Sequence, residues 1–175
     1  MRKEQHLKNK TDISENIEKC RERLSRLCLN LCRNYHDADD LFQDTVLRAV
    51  KYYDSFNDDT EFDKWIYKIC VNTYKSGLRK LYRLRPIAFT SEEEHDAYFS
   101  LIPDDDTTAS HEEYKELLKA ANRIPDKYRT VLVLRYFNDC SEKETAKIIG
   151  IPEGTVKSRL NKAKELIRKE LEHEK

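Results

Sequence analysis

Residues 157–162, KSRLNK, bring two lysines, an arginine, a serine and an asparagine together. On an α-helix, Lys157, Ser158, Asn161 and Lys162 point away from the stripe made by Val156 and Leu160, and Arg159 borders them. Long cations beside an amide can bond guanine or adenine edges while phosphates take the remaining charge. A lysine-rich wet side of an amphipathic helix would give the same composition, so the surroundings decide. Upstream, Ser141 and Glu144 have capping-box spacing, Gly150 closes a short helix and Pro152 restarts the chain. A capped short helix, a glycine turn and a second helix have helix-turn-helix spacing, in which the second helix enters a major groove by its N-terminal residues.

A second group lies earlier. Lys68, Asn72, Lys75 and Arg79 share one side of a helix expected over 61–84, with Trp65 at its border and Tyr67 and Tyr74 adjacent. Cations, an amide and aromatic rings suit a nucleic-acid backbone with unstacked bases. The competing reading is a solvated face. The run from Lys64 to Arg85 contains no Asp or Glu, which favours nucleic acid. A third group, Asp40, Gln43 and Asp44, sits at i, i+3 and i+4 and cannot attract phosphate. A protein partner with a basic surface would suit it.

Cys28, Cys32 and His36 fall at i, i+4 and i+8, so a metal- or redox-sensing site is one reading. Small core thiols beside Leu24, Leu27 and Leu31 are the other, favoured because no second ligand pair with zinc spacing follows. An odd number of widely spaced cysteines, five in all, argues against a disulfide framework. There is no Gly-rich phosphate loop, no nucleophile–base pair and no dense acid cluster. An enzyme is not expected, nor a cofactor.

These groups need helices to position them. The chain has 175 residues, only three glycines and four prolines, and 38% charged residues. That favours an all-α fold with much exposed surface. The expected helices run over 13–35, from just after Asp37 as N-cap to just before the loop that starts at Asp54, over 61–84, over 112–123, from 126 to 137, over 141–149 and from 152 onward. Tyr114, Leu117, Leu118 and Ala121 should point inward from the fourth. Phe62, Ile66, Ile69, Cys70, Thr73 and Gly77 should form the core face of the third.

Thirty-three cations balance 33 anions, yet the charges are segregated. From Pro86 to Glu113 there is no Lys or Arg, while Glu92, Glu93, Glu94, Asp96 and Asp104–Asp106 accumulate. This stretch lacks an apolar period and is too long for an ordinary loop, so it reads as an acidic linker. Two small helical domains follow: a polar, disordered tail over 1–12, one domain over 13–85, the linker over 86–111 and a helix-turn-helix domain over 112–175. Overall neutrality does not oppose DNA binding, since salt screens distant charge beyond about 8 Å. The N-terminus lacks the apolar core of a secretory signal and no segment has the length of a membrane span, so a cytoplasmic location is expected.

Both halves resemble one family, the extracytoplasmic-function (ECF) sigma factors of the sigma-70 family. DADDLFQDTVLRAVKYYDSFNDDTEFDKWIYKICVNTYKSGLR is similar in order and spacing to the family's −10 domain. IPDKYRTVLVLRYFNDCSEKETAKIIGIPEGTVKSRLNKAK resembles its −35 domain, GTVKSRL being the most specific piece. The resemblance implies a transcription-initiation subunit that binds core RNA polymerase, reads both promoter elements and promotes melting. It implies that Asp40, Gln43 and Asp44 contact the β′ clamp helices, with the β flap as a further polymerase contact. Phe56 and Asn72 would hold a flipped −10 base, and Trp65, Lys68 and Lys75 would support strand separation and phosphate contact. Lys157, Ser158, Arg159, Asn161 and Lys162 would read or clamp the −35 element. The linker would follow the polymerase RNA channel, and an anti-sigma factor, often membrane-bound, would be the regulator. The loop DSFNDDTEF lacks the family's usual glycine or arginine, and Asn161 replaces a larger residue. A stand-alone helix-turn-helix regulator is the alternative, which leaves the Asp40 patch without a purpose.

Overall fold

The computed structural model describes residues 2–57, 60–84 and 111–173. The expected linker therefore lies outside the described residues except for His111. Seven α-helices are described, with no strand among the described residues: α1 (Arg2–Leu31), α2 (Tyr35–Tyr52), α3 (Phe62–Leu84), α4 (His111–Arg123), α5 (Asp126–Leu132), α6 (Glu142–Ile149) and α7 (Glu153–His173). A 3₁₀ turn, Tyr53–Ser55, follows α2, and a π-helical stretch, Val133–Phe137, extends α5.

In α1 the buried residues Ile13, Cys20, Leu24, Leu27, Cys28 and Leu31 recur at helical spacing and form one stripe. The helix ends at Leu31, earlier than the sequence spacing suggests. Asn34 then caps α2: its side-chain oxygen accepts the Asp37 backbone N–H at 2.8 Å, and its amide donates to the Asp37 carboxylate at 2.9 Å. Asn34, not Asp37, is the cap, because the asparagine is the residue with extended backbone before the first turn. Asp37 instead sits in the first turn, where the helix dipole favours an acid.

α3 has two buried faces. Ile66, Cys70 and Thr73 pack in the N-terminal half as expected, while Gly77 at the end of that row is exposed. Tyr67, Val71 and Tyr74 form a second buried row, because α6 of the C-terminal half packs against α3. One apolar core thus runs from Ile13 and Leu24 through Ile66 and Val71 to Val131, Leu134, Ile148 and Val156. A smaller one joins α4, α5 and α7 through Ala120, Ile124, Leu132, Ala163 and Ile167. Burying apolar surface at about 25 cal/mol per Å² favours this contact between halves. Leu117, expected inside, is exposed and borders an open groove with Leu132, Tyr136, Phe137 and Leu171.

Candidate nucleic-acid interface

The helix-turn-helix is built by local chemistry. The Ser141 hydroxyl accepts the Glu144 N–H at 3.2 Å, and the Ser141 N–H donates to the Glu144 carboxylate at 2.6 Å. These reciprocal bonds satisfy two orphan donors at the start of α6. The Ser141 N–H, helped by Lys64, holds the Glu144 carboxyl below its usual range. At the other end Gly150 takes φ +76°, and its N–H donates to the Ala146 carbonyl at 2.8 Å. Only glycine adopts that left-handed cap without strain. The Pro152 carbonyl then accepts the N–H groups of Thr155 and Val156, starting α7.

On α7, Val156, Leu160, Ala163 and Ile167 face inward. Lys157, Ser158 and Asn161 are exposed; Arg159 and Lys162 are half-buried. The Lys157 amine lies 3.6 Å from Glu142, and Lys162 donates to Glu165 at 2.9 Å. The Ser158 hydroxyl donates to the Thr155 carbonyl at 3.0 Å. Lys157, Ser158 and Asn161 therefore lie on the outward side of one helix, with Arg159 and Lys162 at its flank, beginning in its second turn.

The N-terminal group lies along α3. Phe56, Phe62 and Trp65 form an aromatic cluster with Tyr53, and the Phe56 and Trp65 ring centroids are 5.2 Å apart. From this cluster Lys68 and Asn72 continue the same side of the helix, both exposed. Lys75, the next member, is half-buried, and its amine donates to the Ile149 carbonyl at 2.9 Å. Burial, with Arg159 and Arg79 nearby, lowers its pKa. Tyr67 and Tyr74, read from the sequence as rings beside this stripe, are buried instead. Their phenols are pushed up by burial, that of Tyr67 to about 12, so neither ring is offered to a base.

Asp40, Gln43 and Asp44 are all exposed on α2, where the Gln43 amide donates to Asp39 at 2.7 Å. Sequence reading missed the extension of this patch. Leu47 is 68% exposed, and Val50, another apolar residue of the same helix, is 48% exposed. Continuing the i, i+4, i+7 row from Gln43 through Leu47 to Val50 would have found them.

The cysteine–histidine row does not form. The break after Leu31 puts exposed His36 on α2, while Cys28 and Cys32 are buried in the core. Cys28 Sγ faces Cys70 Sγ at 3.6 Å; that contact and burial raise the Cys28 pKa, and burial raises that of Cys32. Among the described residues no cluster of three or more His, Cys, Asp or Glu is placed to hold a metal.

A helix-turn-helix and a second cationic–aromatic helix on one all-α chain are features of a class of DNA-binding protein. Comparison makes the class specific. The chain matches the sigma-70 region 2 model over residues 17–84 and the sigma-70 region 4 model over residues 114–167. It is 33% identical over 159 residues to the ECF RNA polymerase sigma factor SigW of Bacillus subtilis, covering 86% of this chain and 84% of that protein. The similarity to the ECF sigma factor EcfG of Rhodopseudomonas palustris is 31% over 141 residues, covering 81% of this chain and 75% of that one. In fold it is similar to the sigma factor RpoE solved in complex with the anti-sigma factor NepR from Bartonella quintana. That match has a TM-score of 0.75 at 23% identity and covers 92% of this chain and 97% of that one. CnrH, solved with the cytosolic domain of CnrY, gives 0.67 at 20% identity, covering 95% and 91%. The chain belongs to the ECF sigma factors of the sigma-70 family.

Proposed function

We propose that this sigma factor binds core RNA polymerase through α2 and reads a bipartite promoter, the −35 element with α7 and the −10 element with α3. The division into a −10 domain over 13–85 and a −35 domain over 112–175 belongs to this reading. The observation that carries it is the presence, on one chain, of two separate outward rows of base-competent side chains. Lys157, Ser158 and Asn161 form one, with Arg159 and Lys162 at its flank. Trp65, Lys68 and Asn72 form the other.

Each row has its own chemistry. The α7 row meets a duplex: its cations neutralise phosphates and its amide reads base edges. The α3 row meets unpaired DNA, where a base leaving the stack finds the Phe56–Trp65 rings and the Asn72 amide on one side of the helix. Capturing that base offsets an unstacking cost of a few kcal/mol. Lys75 joins as a phosphate contact. Asp40, Gln43 and Asp44, with Leu47 and Val50, offer acids around an apolar patch, which suits the β′ clamp helices. The β flap is a further contact, on the helix-turn-helix half. The protein's part is binding, with no reaction of its own. No helix among the described residues is long and apolar enough to cross a membrane. On this reading the chain acts in the cytoplasm under an anti-sigma factor.

Permanganate footprinting of a promoter with core polymerase tests the reading. Thymines of the −10 element become reactive only when the chain is added, and Asn72→Ala removes most of that signal. Unchanged thymine reactivity in the variant contradicts the assignment of Asn72.

A further inference from the structure

Glycine is rare in this chain, with three in 175 residues. Gly150 is required by its left-handed cap. Gly154, in the first turn of α7, is required by nothing in the fold. Its φ is not positive, and beyond its chain neighbours and its own helical turn a β-carbon there would meet no atom within 4 Å. The residue is exposed. Alanine suits an exposed helical turn better, because glycine loses more backbone entropy on folding. Folding alone therefore favours a side chain at this position.

Gly154 opens the reading row of α7. Gly154, Lys157, Ser158 and Asn161 stand at i, i+3, i+4 and i+7, which is one face of an α-helix, and all four are exposed. On the opposite side Val156 and Leu160 are buried, so this face cannot be rolled away from whatever approaches it.

The row is also shallow. Ser158 and Asn161 hold their polar atoms close to the backbone. The Ser158 hydroxyl donates its proton to the Thr155 carbonyl at 3.0 Å, which leaves its oxygen to accept from a base amino group. Lys157, the long member, is drawn aside toward Glu142 at 3.6 Å. Short polar groups touch base edges only when their helix sits deep. A helix with its side chains is about 10–12 Å across and the major groove about 12 Å wide, so a full row of long side chains fills the groove before the backbone nears its floor. A row that begins with a bare Cα removes that obstacle at the end that enters the groove.

We propose that Gly154 is a positioning residue of the −35 reader. Its bare Cα sets the depth at which α7 seats in the major groove, and that depth brings the Ser158 hydroxyl and the Asn161 amide to base edges. This rests on the promoter reading above. Gly154 supplies no charge, so its effect falls on base discrimination and not on the sequence-independent attraction to phosphate.

Gly154→Ala and Gly154→Leu test this in the core polymerase holoenzyme. Affinity is measured for a promoter fragment selected from a pool by the parent holoenzyme, and for the same fragment with its −35 segment scrambled. Gly154→Ala is expected to lose about tenfold in affinity for the intact fragment, the worth of one mismatched base pair, and Gly154→Leu more, with affinity for the scrambled fragment held within about twofold. In urea unfolding of the free chain, the Gly154→Ala midpoint is expected at or above that of the parent. The scale of the gain comes from Gly77→Ala, in the other helix that holds a glycine with open surroundings. A preference for the intact −35 segment kept in full by Gly154→Ala overturns the proposal. So does an equal loss on both fragments, which would mean a general loss of grip. A lowered unfolding midpoint in Gly154→Ala does the same, since the fold itself would then need the glycine. A parent holoenzyme indifferent to the −35 segment would instead remove the promoter reading, and this proposal with it.

Discussion

Glu144 Oε1 lies 3.5 Å from Lys64 Nζ while the other carboxylate oxygen accepts the Ser141 N–H at 2.6 Å. One carboxylate therefore caps the first helix of the helix-turn-helix and ties it to α3. Its pKa is depressed, mainly by the Ser141 N–H. A carboxyl with a lowered folded pKa stabilises above its unfolded value, about 4.3, and that stability is lost as pH falls through the folded value. Urea unfolding should show Glu144→Gln less stable than the parent at pH 7, the two converging under acid conditions below the folded pKa. Ser141→Ala should cost about 1 kcal/mol by the same measurement.

Lys157 and Lys162 are each paired with an acid on the free protein, Glu142 and Glu165. Replacing both lysines by alanine should weaken binding of a −35 duplex by the holoenzyme and flatten the plot of log affinity against log salt. Loss of two phosphate contacts lowers that slope by about 2. Glu142→Gln, which frees Lys157, should strengthen binding. An unaltered salt slope in the double variant argues against phosphate contact by these residues.

Leu47 is 68% exposed beside Asp44. Leu47→Ala should change folding stability by no more than about 0.5 kcal/mol. It should nonetheless weaken core polymerase binding about tenfold, since apolar anchors at the centre of a patch carry much of its energy. Titration of labelled core polymerase checks both this and Asp44→Asn, which should act in the same direction.

Asn72 is exposed, so Asn72→Ala should fold as the parent does. Run-off from a duplex promoter should fall by about 10- to 100-fold, the worth of a good amide–base contact. A template with a pre-melted −10 segment should restore most of the product. No rescue would mean that Asn72 acts before or after strand separation.

Leu24, fully buried in the stripe of α1, is a test of the core. Leu24→Ala should cost about 2–5 kcal/mol in denaturant unfolding, through lost burial and the cavity left behind.

What was legible in the sequence is what local chemistry dictates. Ser141 and Glu144, Gly150 and Pro152 fix the helix-turn-helix through bonds to their own neighbours, so spacing alone reveals them. The outward side of α7 follows from Val156 and Leu160. The second buried face of α3 was hidden because Tyr67 and Tyr74 are covered by the other half of the chain, a contact that no local pattern announces. Arg129 reads as one more helix cation, and only the structure shows it buried and donating to the Leu31 carbonyl and the Tyr74 hydroxyl. Asn34 could have been found: Asp37 stands three residues after it, with the spacing of a cap and its first-turn acid. The Cys28–His36 row failed because it assumed one unbroken helix across the turn after Leu31.

The most direct test of the central claim is run-off transcription by core RNA polymerase from a pool of promoter fragments, with and without this chain. The account predicts discrete products that require the chain and disappear in the Lys157/Lys162 double alanine variant. It would be contradicted if the chain left the products unchanged and instead bound a palindromic duplex on its own.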